Sequence, residues 1–171
     1  MSKGITLEQL LKSRDIRSQK QKLIINDNRG LTLVCMTVII PGNIKRNSLT
    51  SVIATAGIEE LKKEFEGSII SLEICNLETG YEAYLLTSKS REQAKEIACK
   101  IEDNHPLGRL LDIDVLDEKG EPISRKEMGE EPRKCFICNM PARECMRNNT
   151  HTTEELYRFI SEKVEDYVHR I

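Results

Sequence analysis

Hydrophobic and polar positions along this chain recur with two periods, one typical of helices and one typical of strands. Thr6 followed by Gln9 has the spacing of a capping box, so we expect a first helix that ends before the turn residues 26–30. Its apolar stripe begins at Leu7, Leu10 and Leu11. Residues 31–40 are rich in β-branched side chains and stop at a Pro-Gly pair, which predicts a buried strand.

The same patterns predict five further elements in the middle of the chain. They are a helix capped by Asn47 or Ser48 and weakened at Gly57, a strand around residues 70–74, a strand over 81–87 after a turn at 77–80, a helix capped by Ser90 and Gln93, and a strand over 110–116. The resulting order, βαββαβ, predicts an α+β fold with a ferredoxin-like sheet and two helices on one face.

The chain changes character after the last predicted strand. Residues 118–134 are charged and loop-like, residues 135–151 are rich in Cys and His, and Thr152 with Glu155 caps a final amphipathic helix. A length of 171 residues fits one domain. We therefore expect a single domain over 1–171, made of an N-terminal helix (1–27), a βαββαβ core (31–117) and a Cys/His segment with a C-terminal helix (118–171).

Composition narrows the classes of function. The 26 Lys and Arg residues nearly balance the 28 Asp and Glu residues, and aromatic residues make up only 4%, which argues against nucleic-acid binding as the main function. The longest apolar stretch is too short to span a membrane, and the first residues lack the apolar run of a signal peptide. Six cysteines in such a chain indicate reduced thiols or metal ligands. We expect a cytoplasmic protein.

The last predicted strand carries the clearest chemical signal. Side chains alternate along a strand, so Asp112 and Asp114 share one face while Leu111, Ile113 and Val115 share the other. Two neighbouring carboxylates repel unless a cation lies between them, and Mg²⁺ prefers one or two carboxylates together with phosphate oxygens. The alternative is a solvent-facing strand whose acids keep the sheet edge soluble.

Basic residues near this strand and in the first helix complete a candidate phosphate site. His105 and Arg109 lie in the turn that precedes the acids, together with Gly108. Helical spacing places Arg14, Arg17 and Gln21 on one face, where two guanidinium groups and an amide suit a phosphate, although a solvated face with an Arg-Asp pair is the better explanation of this stripe taken alone. Lys45 follows a Gly turn ahead of the second helix, in a segment that fits either an anion site or an ordinary loop.

The cysteine-rich segment has the ligand types of a zinc site. Its four candidate ligands are Cys135, Cys138, Cys145 and His151. The six residues between the second and third cysteines make a short gap for such a site, so buried or simply reduced thiols remain the alternative.

Five motifs resemble the holo-citrate lyase synthase family, also called apo-citrate lyase phosphoribosyl-dephospho-CoA transferase. They are S-R-D-x-R-x-x-x-Q at 13–21, P-G-x-I-K at 41–45, H-P-L-G-R-L-x-D-I-D-V at 105–115, G-E-x-I-S-R at 120–125, and P-R-x-C-x-x-C followed by A-x-x-C-x-R-x-x-x-H through residue 151. Each is modest alone, but together they span most of the chain in the family's order.

This resemblance implies a nucleotidyltransferase. A serine of the acyl carrier protein (gamma) subunit of citrate lyase would attack triphosphoribosyl-dephospho-CoA, releasing pyrophosphate and gaining the phosphoribosyl-dephospho-CoA prosthetic group. By resemblance, Asp112 and Asp114 would hold Mg²⁺, and His105 would be either the general base or a residue that shapes its turn. The expected triphosphate ligands are Arg14, Arg17, Gln21, Lys45, Gly108, Arg109 and Arg125.

Two other functions remain open at this point. The first is the equivalent transfer to the carrier protein of malonate decarboxylase. The second is a ferredoxin-like ligand-binding module without catalysis, which predicts no dependence on Mg²⁺ and no role for Asp112.

Overall fold

The computed structural model describes residues 4–170, so residues 1–3 and 171 of the expected terminal segments lie outside the described part. The elements are α1 (Leu7–Asp27), β1 (Thr32–Val38), α2 (Ser48–Glu64), β2 (Ile69–Leu77), β3 (Gly80–Thr87), α3 (Arg91–Asn104), β4 (Leu111–Leu116), α4 (Ala142–Asn148) and α5 (Thr153–Val168), with 3₁₀ turns at Gly108–Leu110 and Lys126–Met128. This order of elements confirms the expected one. The first helix runs slightly further than expected, and α4 is an addition.

Local hydrogen bonding fixes where the long helices begin. The expected capping boxes at Thr6, Ser90 and Thr152 are present, and a further one shows that Asn47, rather than Ser48, caps α2. The Asn47 side chain accepts a hydrogen bond from the backbone N–H of Thr50 at 2.9 Å, which satisfies one of the unpaired donors of the first turn. Within residues 4–170, no helix is both long enough and apolar enough to cross a membrane.

The four strands form one open antiparallel sheet in the order β2-β3-β1-β4. Two cross-strand rows of the sheet matter for function, because residues directly opposite each other share a face. One row is Cys75, Glu82, Thr37 and Asp112, and the next is Glu73, Tyr84, Cys35 and Asp114. Carboxylates from three strands therefore lie on the same face of the sheet.

Helices α2, α3 and α5 cover the opposite face and form the main core. Full burial of a Val, Ile, Leu or Met side chain contributes about 1.5–3 kcal/mol to the stability of the folded protein. The central members are Val34, Met36, Ile53, Leu85, Ala98, Ile113, Val115 and Ile160. Gly57 lies where α2 comes closest to the sheet, since a Cβ there would be 2.7 Å from Met36 Sδ. The residue expected to weaken the helix therefore permits its packing.

Helix α1 lies across the other face, and two leucines of its predicted apolar stripe stay exposed. Leu7 and Leu11 are 72% and 49% exposed, and α1 buries no residue completely. The side facing the sheet instead carries Arg17 and Lys20, which pair with Glu82 and Glu73. The physical reason is that the part of the sheet face opposite Arg17 and Lys20 carries the carboxylates of Glu82 and Glu73 and is therefore polar. Ile24 and Ile25, near the C-terminal end of α1, pack on the apolar part of this face.

Candidate functional site

The acid pair lies where the alternation along β4 predicts. Asp112 and Asp114 are half-buried on the face covered by α1, whereas Leu111, Ile113 and Val115 are buried in the main core. Burial and, secondarily, the charge of Asp112 raise the pKa of Asp114 to about 6. The two carboxylates are thus close enough to repel, which is the electrostatic condition for a cation site.

Arg133 is a cation that contacts Asp112, one member of this pair, and the sequence did not single it out. Its Nη1 lies 2.9 Å from Asp112 Oδ1 and 3.3 Å from an oxygen of Glu102, while Nη2 donates to the backbone carbonyls of Arg109 and Leu111. The signal available was its position in the P-R-x-C motif, two residues before Cys135. No spacing rule links that position to β4, because the contact depends on tertiary folding.

Arg17 and Gln21 of α1 lie over the same sheet face as the acids. Arg17 pairs with the buried Glu82 at 3.2 Å, and the Tyr84 hydroxyl donates to the other oxygen of Glu82. Burial raises the pKa of the Cys35 thiol to about 12, and the neighbouring Gln21 side chain acts in the opposite direction. The structure therefore brings these two predicted residues to the acid face, the sheet face that carries Asp112 and Asp114. Arg17 is already paired there with Glu82.

Arg14 and Lys45 form a second group of charges at one end of α1. Arg14 is exposed, and burial followed by the charge of Arg14 lowers the pKa of Lys45. The Lys45 ammonium donates to the carbonyl of Ile40, directly after β1. Close by, the hydroxyls of Ser13 and Thr79 lie 2.7 Å apart and join α1 to the β2–β3 turn. Two cations are thus held together at the end of the sheet that also carries Asp112.

Arg125, an expected phosphate ligand, is held in a network of ion pairs beside β4. It donates to both oxygens of Asp103 at 3.0 Å and to Glu102 at 2.6 Å, and its Nε is buried without a hydrogen-bond partner. Glu102 is 4% exposed and also accepts from the backbone N–H of Ile113. A cavity of about 190 Å³ adjoins this network, lined among others by Arg109, Arg125, Arg133 and Lys134.

The turn before β4 has mainly local contacts. His105 lies against Tyr167 of α5, and its Nδ1 accepts a hydrogen bond from the backbone N–H of Leu107. A Cβ at Gly108 would lie 2.2 Å from the carbonyl oxygen of Ile101, so this position requires glycine for the turn to pack on α3. The structure thus brings His105 and Gly108 to α3 and α5, on the core side of the sheet.

Arg109 links this turn to the cysteine-rich segment. Its Nη1 donates to the carbonyl of Cys135 at 3.0 Å and to Asn139 Oδ1 at 3.2 Å. Asn139 has a φ of 59°, in the left-handed region that closes the loop after Cys138. Arg109 therefore binds the loop rather than the acids.

The four predicted metal ligands form one cluster. Cys135, Cys138, Cys145 and His151 offer ligand atoms that all lie within 4.8 Å of one another. Cys138 is central: its Sγ is 3.3 Å from that of Cys145 and 3.2 Å from His151 Nε2. A backbone N–H of Met140, with Cys145 and His151, lowers the pKa of Cys138 to about 6. Three cysteine sulfurs, one of them a stabilised thiolate, and one imidazole are the donor set of a Cys₃His metal site.

These features together define a class of protein. A mixed α+β fold presents carboxylates among arginines and lysines on one sheet face, with a thiol-rich cluster beside it, and such charged groups suit phosphorylated substrates. The chain belongs to the apo-citrate lyase phosphoribosyl-dephospho-CoA transferase family, whose sequence profile matches residues 5–167. The resemblance predicted from the motifs is confirmed.

Individual relatives agree with the family match. The chain is 34% identical over 168 residues to a probable apo-citrate lyase phosphoribosyl-dephospho-CoA transferase of Vibrio cholerae, covering 96% of this chain and 94% of that protein. It is 35% identical over 157 residues to the Citrobacter koseri transferase of the same name, covering 90% and 85%. It also matches Protein CitXG of Haemophilus influenzae at 35% identity, covering 89% of this chain and 33% of that longer protein.

Proposed function

We propose that this protein transfers the phosphoribosyl-dephospho-CoA group from triphosphoribosyl-dephospho-CoA to a serine of the acyl carrier protein subunit of citrate lyase. The serine oxygen forms a bond to the α-phosphorus, the bond from that phosphorus to pyrophosphate breaks, and the serine loses its proton. The observation that carries the proposal is the near full-length match to citrate lyase transferases in a chain whose acid pair lies among basic side chains. That match favours the citrate lyase carrier over the malonate decarboxylase carrier.

Asp112 and Asp114 are the residues that would hold Mg²⁺. Their shared face, their mutual repulsion and the cationic Arg133 beside Asp112 all fit a site for positive charge. When bound, Mg²⁺ would neutralise charge on the phosphates during transfer. Arg17 and Gln21 flank this face and would orient the triphosphate, with Arg14 and Lys45 at its end.

Other predicted phosphate ligands have weaker support. Arg125 and Arg109 line the cavity next to β4, so in our proposal they contribute positive potential while keeping their present partners. In our proposal, Gly108 and His105 shape the turn that leads into β4. We assign the general base to none of these residues, since His105 packs against Tyr167.

We further propose that Cys135, Cys138, Cys145 and His151 bind a structural Zn²⁺. The donor set supports this, because four ligands of these types close a tetrahedral site. The backbone N–H of Ile137 also points at Cys135 Sγ, 3.5 Å away, as is usual around metal thiolates. Zinc here would hold the loop that carries Arg133.

The strand order supports assigning the sheet to the ferredoxin-like type, with α1 and the C-terminal segment as additions to one domain. An antiparallel β2-β3-β1-β4 sheet with both crossover helices on one face is the arrangement expected for βαββαβ. Six free cysteines fit a reducing compartment, so we propose that the protein acts in the cytoplasm.

Intact-mass spectrometry of the carrier subunit tests the proposed activity. The apo carrier is incubated with this protein, triphosphoribosyl-dephospho-CoA and Mg²⁺, and we expect it to gain the mass of the phosphoribosyl-dephospho-CoA group, with no gain when EDTA is present. A folded apo carrier that gains no mass would contradict the proposal. A gain seen only on the malonate decarboxylase carrier would instead reassign the substrate.

Asp112→Asn provides the matched variant. It keeps the size of the side chain but removes the charge, so we expect at least a 100-fold loss of transfer with a near-native unfolding midpoint. Asp166→Asn, on the exposed side of α5, is the control and keeps full activity. Substantial transfer by folded Asp112→Asn would refute the metal role.

A further inference from the structure

The sheet face under α1 holds a buried carboxylate that has no assigned role. Glu82 of β3 is only 7% exposed. It lies opposite Thr37 of β1, which lies opposite Asp112 of β4, so Glu82 and Asp112 share one face at two strand spacings, or about 10 Å. A buried ion pair is often no more stabilising than apolar side chains of similar volume. Stability alone therefore does not account for Glu82.

Both oxygens of Glu82 are occupied by donors. Oε1 accepts from Arg17 Nη1 at 3.2 Å, and Oε2 accepts from the Tyr84 hydroxyl. Tyr84 is 3% exposed, and burial, followed by the hydrogen bond to Glu82, raises its pKa, so the hydroxyl stays a donor. The Lys20 ammonium lies 4.4 Å from the centre of the Tyr84 ring. Tyr84 thus fixes the carboxylate in the orientation that Arg17 contacts.

Arg17 is more open to solvent than its partner. Its side chain is 28% exposed, against 8% for that of Glu82. Among residues 4–170, the guanidinium has no hydrogen-bond partner besides Glu82, and none of its nitrogens is buried without a partner. Its remaining N–H donors are therefore accessible to an anion. Because the ion pair restricts the rotamers of Arg17 in advance, less conformational entropy is lost when a ligand binds.

We propose that Glu82, fixed by Tyr84, is a positioning residue that holds Arg17 for the triphosphate of the substrate. This rests on the proposed function, in which Arg17 orients the triphosphate. The pair with Glu82 sets where Nη1 lies and leaves the other N–H groups to phosphate oxygens, which arginine binds with two parallel hydrogen bonds. The negative charge of Glu82 also weakens the positive potential of Arg17, so the gain from a fixed position has to exceed that loss.

Calorimetry with inorganic pyrophosphate and Mg²⁺ tests this without the carrier protein. Glu82→Gln keeps the shape of the side chain but offers one acceptor atom in place of two, so Arg17 or Tyr84 loses its partner. We expect the affinity for pyrophosphate to fall about tenfold, because Arg17 is no longer held in position. Glu73→Gln is the matched control: it breaks the neighbouring ion pair between α1 and the sheet, that of Lys20, and its affinity stays unchanged.

A double-variant cycle separates positioning from a general effect on the fold. If Glu82 acts through Arg17, the variant that combines Arg17→Gln with Glu82→Gln binds pyrophosphate no more weakly than Arg17→Gln alone. A further loss of affinity in the double variant would show that Glu82 acts independently of Arg17 and would overturn the proposal. Unfolding midpoints establish that each variant is folded.

The affinity of the single variant is equally decisive. An unchanged affinity of folded Glu82→Gln overturns the proposal, and so does an increased one, which would mean that the charge of Glu82 only weakens Arg17. If Glu82→Gln does not fold, Glu82→Asp replaces it, because aspartate keeps the charge but withdraws the carboxylate by one methylene group. Its affinity should also fall, and an unchanged value overturns the proposal. Pyrophosphate binding that depends on Glu82, without transfer to the carrier, would contradict the proposed function alone.

Discussion

At the scale of single residues, Arg133 joins three parts of the protein that are distant in sequence. Its guanidinium contacts Asp112, Glu102 and two backbone carbonyls at the start of β4. The acid pair could be predicted from alternation along one strand, because that pattern is local. Arg133 could not, because its partners lie 21 to 31 positions away and only the fold brings them together.

Replacing Arg133 by Gln should therefore destabilise the protein. The variant loses the ion pair with Asp112 and leaves two carbonyls without their donor, while Glu102 keeps Arg125. Because Arg133 is partly exposed, we expect a moderate loss of about 1–3 kcal/mol in the free energy of unfolding, measured with urea. Arg143→Gln, at an exposed position of α4, is the control. Equal midpoints for the two variants would contradict the structural role of Arg133.

His105 supplies a pH-dependent prediction. Burial lowers its pKa from the usual 6.5, so the unfolded chain binds a proton more readily than the folded one. The stability it contributes is present above pH 6.5 and is lost as the pH falls through the window below that value. His105→Asn, whose side-chain oxygen can accept from Leu107, should flatten this part of the stability profile.

The control for this experiment is His169→Asn, since His169 is exposed at the end of α5. Urea unfolding between pH 5 and pH 8 measures both variants. If His105→Asn keeps the full slope below pH 6.5, the pH dependence has another source. If the folded variant instead loses most of its activity together with the dependence of activity on pH in this window, His105 has a catalytic role that its contacts do not indicate.

At the scale of secondary structure, patterns among residues close in sequence were sufficient to predict where the long helices and the strands form. Capping boxes and apolar periods predicted the four long helices, and alternation predicted the strands. The packing side of α1 could not be predicted in this way, because it depends on Glu73 and Glu82 of β2 and β3. A helix normally turns its leucines inward, but a polar sheet face selects Arg17 and Lys20 instead.

The junction of α3 and β4 depends on one glycine. Gly108→Ala would place a methyl group against the carbonyl oxygens of Ile101 and Glu102, which belong to a rigid helix. We expect a loss of about 1–3 kcal/mol in the free energy of unfolding, since overpacking of this kind displaces backbone. Thermal unfolding followed by circular dichroism measures it, with the exposed Asn104→Ala as the neighbouring control. An alanine variant as stable as the unmodified protein would show that the turn moves freely.

At the scale of the whole molecule, the cysteine-rich segment connects α5 with the acid face. Ile160 and Val164 of α5 lie in the main core, and Phe136 stacks on Phe159 at 5.4 Å between ring centres. On the other side, Arg109 binds the carbonyl of Cys135. The Cys/His segment therefore contacts the main core through Phe136 and the turn before β4 through Arg109.

Removing the proposed zinc should loosen this segment and leave the sheet folded. Hydrogen–deuterium exchange with and without a chelator measures this: we expect faster exchange at amides of residues 133–151, where the Cys135 and Ala142 N–H groups are bonded, and no change in β1 and β3. Cys138→Ser should lose the metal and show the same pattern, while Cys75→Ser, a thiol outside the cluster, should keep it. Purified protein without zinc would contradict the zinc proposal directly. Faster exchange over the whole sheet would show instead that the cluster also stabilises the core. Any change at Arg133 would then be part of a general loss of structure.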